Sequence, residues 1–211
     1  MKRIALTFDD GPNTLTTPLV LDVLEKEGIT ASFFLISDSI MPESASVARR
    51  AFEMGCEINN HSKTHNAMNK MLPEQIRMKI DECTERIIEI TGQKPRFFRP
   101  PYIAVNQVLF DTIREMTFIC GNGCEDWVPT VTAQERIDRL LADPRDGDII
   151  LLHDMPGNVN TVEAIKEVIP ELKQRGFRFV TCGQMFDECG IIPRHGWLYS
   201  NVYQTEPRNG L

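Results

Sequence analysis

The 211-residue chain is long enough for one domain with a sizeable core, and its 42% hydrophobic and 25% charged residues are ordinary for a globular protein. Its net charge of −7, without a run of Lys or Arg, argues against nucleic acid or an anionic membrane as partner, because both require a concentrated basic surface. No apolar run approaches the roughly 20 residues that span a bilayer. No signal peptide precedes the first apolar run, so we expect an intracellular protein or a catalytic piece of a longer secreted chain.

Short apolar runs alternate with helical patterns along residues 1–190. The predicted strands are 3–8, 31–36, 57–59, 96–98, 117–120, 148–152 and 177–181, and the predicted helices are 16–27, 43–54, 73–90, 106–115, 132–141, 162–174 and 183–187. This alternation predicts an α/β fold with parallel strands joined by right-handed crossovers. We expect residues 191–211 to form an irregular tail packed on the outside of the 1–190 domain.

Two closures of the sheet are possible, a barrel or an open doubly wound sheet. Unusual polar residues follow strands one, three, four, five and six, whereas an open sheet would gather them at one switch point. Five strand ends that share one site favour a barrel with its active face at the carboxyl ends of the strands. Seven strands predict a distorted, incompletely regular (β/α) barrel.

The first predicted strand ends in two adjacent carboxylates, Asp9 and Asp10, before the breaker Gly11-Pro12. Successive strand side chains point to opposite faces, so the two carboxylates should have different roles. One can reach a metal while the other reaches a substrate water. The alternative is an Asp-rich turn, which often precedes Gly-Pro.

Two imidazoles, His61 and His65, follow the third strand at a spacing that places them on one face if the segment is helical. With a carboxylate from Asp9 or Asp10, they would supply three ligands and leave a position for water, which is the pattern of a catalytic metal. Zn²⁺ suits these ligands, and Co²⁺ or Ni²⁺ fits the same geometry. The alternative is a polar loop with two His by chance.

Two further polar groups follow strands four and six. The prolines after Arg99 fix the backbone, so its guanidinium can clamp a carboxylate through two parallel bonds, and the Tyr102 N–H is a candidate oxyanion donor. His153 ends an apolar run, and the segment Glu125-Asp126-Trp127 offers a carboxylate that would raise the pKa of this His, as a general acid requires. The alternatives are a surface Arg in a proline turn and a structural His at the edge of the core.

Five segments of the sequence, in this order, resemble the polysaccharide deacetylases of the NodB-homology type, carbohydrate esterase family 4. They are Thr7-Phe8-Asp9-Asp10-Gly11-Pro12, His61-Ser62-x-x-His65, Arg99-Pro100-Pro101-Tyr102, Asp126-Trp127 and Leu151-Leu152-His153-Asp154. The resemblance covers residues 3–190. It implies a distorted (β/α) barrel and a metal-dependent hydrolase that removes acetyl groups from a polysaccharide.

The resemblance also implies a role for each matched residue. Asp9 would be the general base, oriented by Arg99, and His153 the general acid, tuned by Asp126. The single divalent metal ion would be held by Asp10, His61 and His65, and substrate would be bound by Pro100, Tyr102, Trp127 and Leu151.

The sequence departs from the family pattern on the substrate-facing rim. Ile103 stands where Gly is frequent, Val128 replaces a basic residue, and the segment 120–125 lacks an upstream Asp and aromatic residue. The run Asp-Trp-Val-Pro followed by Thr-x-x-x-Arg looks closer to the acetylxylan esterase branch. We therefore expect O-deacetylation of acetylated xylan or xylo-oligosaccharides by a monomer.

Three alternatives remain at this level. The same residues could N-deacetylate N-acetylglucosamine polymers such as chito-oligosaccharide or peptidoglycan. A non-catalytic carbohydrate-binding domain would normally have lost a ligand or the acid, and a metallopeptidase lacks its His-Glu-x-x-His helix. The six cysteines show no Cys-x-x-Cys pair, so we expect buried apolar side chains more than disulfides or a structural zinc site.

Overall fold

A computed structural model describes residues 1–208. Within that range nine strands form one sheet: β1 (Lys2–Asp9), β2 (Ser32–Leu35), β3 (Glu57–Asn60), β4 (Phe97–Phe98), β5 (Thr117–Ile119), β6 (Asn122–Gly123), β7 (Asp148–His153), β8 (Phe177–Phe179) and β9 (Leu198–Tyr199). The seven predicted strands are all present, and β6 and β9 are additional.

In residues 1–208, seven α-helices connect or flank these strands: α1 (Thr17–Glu27), α2 (Pro42–Glu53), α3 (Pro73–Thr91), α4 (Gln107–Thr112), α5 (Ala133–Ala142), α6 (Val159–Gln174) and α7 (Cys182–Cys189). Their ends follow local chemistry. Pro in the first turn begins α1, α2 and α3, where the missing N–H costs nothing. The predicted capping box at α5 is confirmed, with the Thr132 hydroxyl accepting from the Glu135 N–H.

The central strand β1 aligns the site. It pairs in parallel with β7 and β2, and this register places Asp9 beside His153 on one side and beside Phe34 on the other. The sheet continues through β3, β4 and β5, with Asn60 level with Phe98. The carboxyl ends of these strands therefore share one face, and the polar residues that follow them converge there.

The side chains of β1 alternate between two cores. Ile4, Leu6 and Phe8 pack with the helices in the larger apolar cluster, whereas Ala5 belongs to a second cluster that fills the barrel interior. Both faces are buried, which explains why residues 4–6 of this strand are a continuous apolar run. By the same alternation, Asp9 emerges at the upper end of the interior.

The prediction of an irregular external tail is wrong for residues 198–202. β9 pairs with β5, and the Cys120 N–H donates to the Tyr199 carbonyl. On the other side the Ile149 N–H donates to the Ser200 carbonyl, so this segment closes the barrel between β5 and β7. The residues before β9 include Pro193 and Gly196, so the sequence there reads as irregular and no strand pattern marks the segment. The division at residue 190 stays a prediction.

All six cysteines are free thiols, and five of them are buried, as the sequence analysis expected. In residues 1–208, no helix combines the length and the apolarity that crossing a membrane would require.

Candidate active site

A cleft of about 340 Å³ opens at the carboxyl ends of the strands. Nine residues predicted from sequence line it together with Ile103: Asp9, Asp10, His61, His65, Pro100, Tyr102, Trp127, Leu151 and His153. A larger depression of about 700 Å³ lies beside Arg145 and Tyr203. Across residues 1–208 only Asp10, His61 and His65 form a group that could hold a metal ion, so the smaller cleft is the candidate site.

The Asp9 carboxylate is buried and held from behind. Arg99 Nη1 donates to Asp9 Oδ1 over 2.6 Å, and the guanidinium of Arg99 lies over the Phe34 ring, 4.2 Å from its centroid. The two parallel bonds predicted from sequence are a single bond, because Arg99 Nη2 and Nε have no hydrogen-bond partner. The second carboxylate oxygen, Asp9 Oδ2, therefore remains free of Arg99 and lies 3.7 Å from His61 Nε2.

Asp10 turns away from Asp9 through a left-handed backbone, with φ of +78°. Its Oδ1 lies 3.5 Å from His61 Nε2 and 3.6 Å from His65 Nε2. The ligand atoms of these three residues all fall within 4.8 Å of one another. A non-glycine residue in this conformation costs of order 1–3 kcal/mol and is typical of functional sites.

The residues present fit a metal ion. Asp10 Oδ1 and His61 Nε2 are buried and have no hydrogen-bond partner, which is unfavourable unless a ligand binds them. His61 Nδ1 lies 2.6 Å from the Arg99 carbonyl, to which it can only donate, so its Nε2 carries the lone pair. Two imidazole nitrogens and one carboxylate oxygen form the donor set of a three-ligand catalytic zinc-type site.

The two imidazoles converge without a helix. Residues 61–66 form an irregular loop, in which Ser62 has φ of +72° and its N–H is held by Asn60 Oδ1. The helical segment predicted from the spacing of the two His is therefore wrong, although their side chains do meet. A left-handed Ser is not visible in the sequence pattern.

His153 lines the cleft at the end of β7 and is bonded to the buried Asp126. His153 Nδ1 lies 2.8 Å from Asp126 Oδ1, and the His153 N–H donates to Asp126 Oδ2 over 2.7 Å. Burial lowers the pKa of His153, but the bond and charge of Asp126, together with the charges of Asp9 and Asp10, outweigh it and raise this pKa. With Nδ1 occupied, Nε2 is the nitrogen available to the cleft.

The rim is apolar and aromatic. Trp127 packs edge-on against His153 with ring centroids 5.6 Å apart, and Tyr102 packs edge-on against His65 at 4.4 Å. Tyr102 and Ile103 both have positive φ, +58° and +55°. This conformation is uncommon for Tyr102 and strained for Ile103, which is β-branched. These side chains form the walls against which a ligand would pack.

Several supporting residues of the site were not predicted from sequence. Thr161 and Asn158 donate hydrogen bonds to the buried Asp126. Asp154 is also buried, and its Oδ2 accepts a hydrogen bond from the hydroxyl of Thr17, at the start of α1, over 2.5 Å. Asn158 and Thr161 look like ordinary polar residues at a helix start. Asp154 was quoted within a motif but given no role.

Comparisons with known proteins support this geometry. Residues 1–120 match the model of the family described as polysaccharide deacetylase. A bifunctional xylanase/deacetylase of Pseudobutyrivibrio xylanivorans is 44% identical over 202 residues, which cover 95% of this chain and 33% of that protein. A peptidoglycan-N-acetylglucosamine deacetylase of Listeria monocytogenes is 32% identical over 187 residues, covering 89% of this chain and 39% of that protein. The chain thus spans between a third and two fifths of the length of these relatives.

Two solved structures share the whole fold. One is the Xyl-CE4 domain of a multidomain xylanase from the hindgut metagenome of Trinervitermes trinervoides, with a TM-score of 0.92, 40% identity and coverage of 95% of this chain and 98% of that one. The other is a family 4 acetyl xylan esterase from Clostridium thermocellum in complex with a cobalt ion, with a TM-score of 0.92, 37% identity and coverage of 96% and 100%. The resemblance and the barrel predicted from sequence are both confirmed, and the chain belongs to the polysaccharide deacetylase family, carbohydrate esterase family 4.

Proposed function

We propose that this chain removes O-acetyl groups from acetylated xylan or xylo-oligosaccharides by metal-dependent hydrolysis. The observation that carries the proposal is the pair of buried, partnerless atoms, Asp10 Oδ1 and His61 Nε2, which share one cleft with a held carboxylate, Asp9, and a held imidazole, His153. A base and an acid beside a metal site are the requirements for hydrolysis of an acyl group. The acetylxylan esterase and the xylanase/deacetylase among the similar proteins support the xylan substrate.

Asp10, His61 and His65 would hold a single divalent ion, for which we propose Zn²⁺, with Co²⁺ or Ni²⁺ able to take the same donors. When bound, such an ion supplies Lewis acidity at the acetyl carbonyl and lowers the pKa of water. The cobalt in the similar Clostridium thermocellum structure supports a divalent ion here.

Asp9 would act as the general base. Its Oδ1 is occupied by Arg99, which fixes the orientation of the carboxylate, while Oδ2 is left to accept a proton from the attacking water. We expect Asp9→Asn to lower kcat about 10²-fold with the metal retained, because the amide cannot take that proton. Wild-type turnover in this variant at full metal occupancy would show that the base is another group.

His153 would act as the general acid. Asp126 occupies Nδ1 and favours the charged imidazole, so Nε2 can donate a proton to the leaving sugar oxygen. The Tyr102 N–H would stabilise the oxyanion that develops on the acetyl carbonyl, and Trp127 and Leu151 would enclose the acetyl methyl beside Pro100. An alkoxide leaves more readily than an amine anion, so ester cleavage demands less of His153 than amide cleavage.

The deciding experiment compares both substrate classes. Metal would be removed with a chelator, Zn²⁺, Co²⁺ or Ni²⁺ restored, and acetate release measured from acetylated xylo-oligosaccharides and from chito-oligosaccharides of matched length. We expect release from the xylo-oligosaccharides that disappears with chelation and returns with metal. The Listeria monocytogenes peptidoglycan-N-acetylglucosamine deacetylase favours N-deacetylation as the second candidate. A higher kcat/KM on chito-oligosaccharides would select this alternative, and release that is insensitive to chelation would exclude the metal site.

A further inference from the structure

A buried arginine lies behind the acid side of the cleft and has no role in the reaction described so far. Arg136, in the first turn of α5, is only 1% exposed, and all its acceptors are neutral. Its Nη1 donates to Thr161 Oγ1 over 2.7 Å and to Asn158 Oδ1 over 2.6 Å, and its Nε donates to the Val131 carbonyl over 3.1 Å. A buried cation without an adjacent carboxylate is costly to a fold, so its position calls for a nearby anion.

That anion is Asp126, one hydroxyl away. Thr161 accepts from Arg136 and donates its own proton to Asp126 Oδ2 over 2.8 Å. Asn158 accepts from Arg136 in the same way and directs its Nδ2 to the His153 carbonyl over 2.9 Å and to Asp126 Oδ2 over 3.4 Å. Thr161 and Asn158 therefore connect the guanidinium to both members of the imidazole–carboxylate pair.

We propose that Arg136 is a positioning residue of the deacetylation reaction: through Thr161 and Asn158, it holds Asp126 ionised and aimed at His153 Nδ1 when the imidazole has given up its proton. The inference rests on the proposed function for its catalytic meaning. Asp126 is wholly buried, and when His153 is neutral the guanidinium of Arg136 helps to balance the charge of Asp126. Arg136 thus lowers the cost of proton release by His153.

The direction in which Arg136 changes the pKa of His153 follows from the charges around the His153–Asp126 pair. His153 faces Asp126 from the loop after β6, Asp9 and Asp10 from the end of β1, and His65 from the loop after β3. The Cys124 thiol is also close to Asp126, and burial raises the pKa of this thiol to about 12, so that it stays neutral. Replacing Arg136 by a neutral residue removes a positive charge near Asp126, so loss of a proton from the His153–Asp126 pair becomes less favourable.

Arg136→Met is the direct test, measured on the full chain loaded with Zn²⁺. We expect the titration midpoint of His153, followed by ¹⁵N NMR of the imidazoles, to rise by about one pH unit, and the alkaline limb of kcat to move with it. We expect kcat at neutral pH to fall about tenfold and KM to change less than about twofold, because Arg136 does not reach the cleft. Arg136→Lys should keep the wild-type midpoint, because the charge remains.

Two further variants distinguish an electrostatic role of Arg136 from a contribution to packing alone. Arg50→Met removes an exposed guanidinium bound to Asp22 and Glu25 and should leave the His153 midpoint unchanged. If Arg136→Met does not fold, Thr161→Val removes the bridging hydroxyl at constant shape and should raise the midpoint by a smaller amount, whereas Thr161→Ser should not.

A His153 midpoint that stays constant or falls in both Arg136→Met and Thr161→Val would overturn the proposal and leave Arg136 a purely structural residue. The NMR titration needs no substrate. It therefore judges Arg136 even if neither class of acetylated carbohydrate is hydrolysed, and the two proposals fail separately.

Discussion

The two sides of the cleft contain similar chemical groups but satisfy them differently. On the metal-ligand side, Asp10 Oδ1 and His61 Nε2 are buried without a hydrogen-bond partner. On the acid side, both oxygens of Asp126 accept bonds, from the imidazole and backbone of His153 and from the Thr161 hydroxyl. Buried polar atoms are nearly always paired, so the first side is arranged for a ligand and the second is complete as it stands.

This contrast separates binding from positioning. A buried group without a partner is available to bind a ligand, and substitution of that group should release the ligand. A group already bonded within the protein should instead change the rate while the ligand stays in place. Substitutions on both sides should lower activity, but only those on the metal-ligand side should also lower the metal content.

The largest effect is expected on the metal-ligand side. His61→Ala removes one of three proposed ligands, so we expect metal to be lost on dialysis and acetate release to fall about 10³-fold or more. Metal content and acetate release measured on the same samples test this. His195→Ala is the matched control, because His195 is partly exposed and lies outside the cleft. Full metal occupancy in His61→Ala would remove His61 from the ligand set.

On the acid side, His153→Ala should lower kcat about 10²-fold while metal content stays at the wild-type level, since none of the proposed ligands is altered. In the wild-type protein, the raised pKa of His153 keeps the acid protonated to higher pH, so activity should persist above the ordinary His range before it falls. A variant that lost metal together with activity would break the distinction between the two sides.

A smaller effect is expected where the two sides approach each other, at Gly121. Its φ is +88°, and a Cβ there would lie 3.2 Å from Arg99 Nη2 and 3.0 Å from Leu151 Cβ. We expect Gly121→Ala to displace Arg99 and so lower kcat about tenfold with metal retained, at a cost of about 1–3 kcal/mol in the free energy of unfolding. Gly176→Ala is the control, because Gly176 has a similar φ of +82° and open space around it. Equal kcat in both variants would mean that Arg99 tolerates the added methyl.

The set of polar residues that lines the cleft was predictable from sequence, because residue type and strand position together determine it. Acidic and imidazole residues stood directly after predicted strands, and the carboxyl ends of parallel strands meet on one face, which was sufficient to bring Asp9, Asp10, His61 and His153 together. All seven predicted strands are present.

What the sequence did not reveal depends on backbone conformations and long-range bonds. Asp10 and Ser62 have left-handed backbones that set the direction of their side chains. Nothing in the sequence marks these conformations, because neither residue is Gly. The single bond from Arg99 to Asp9 depends on a ring packed beneath the guanidinium. Arg136 stands among the buried positions of α5 beside Ile137, which is a detectable anomaly, but its partners belong to another helix.

The smallest effect of a substitution is expected at Asp154, which has one bonded and one unbonded carboxylate oxygen. Its Oδ2 is bonded to the Thr17 hydroxyl, while its Oδ1 is buried without a partner. Burial, opposed by the Thr17 bond and aided by the charges of Asp10 and Asp9, raises the pKa of Asp154 from 3.8 to about 7. The folded protein therefore keeps a proton that the unfolded chain has already released, and stability falls as pH rises from about 4 to 7. Above that range the full penalty applies, at most about 4 kcal/mol for a shift of this size.

Asp154→Asn removes this titration while keeping the shape of the side chain and an oxygen for Thr17. We expect metal-free wild-type protein to lose more free energy of unfolding between pH 5 and pH 8 than the variant, by about 2 kcal/mol or less. Urea denaturation of both proteins at the two pH values, with chelator present, measures this difference, and other titrating groups cancel because they are common to both. Equal losses in the two proteins would mean that Asp154 is ionised in the fold at pH 5. A carboxylate with one unpaired oxygen would then be tolerated beside Asp10 even without a ligand, and the contrast between the two sides would lose its physical basis.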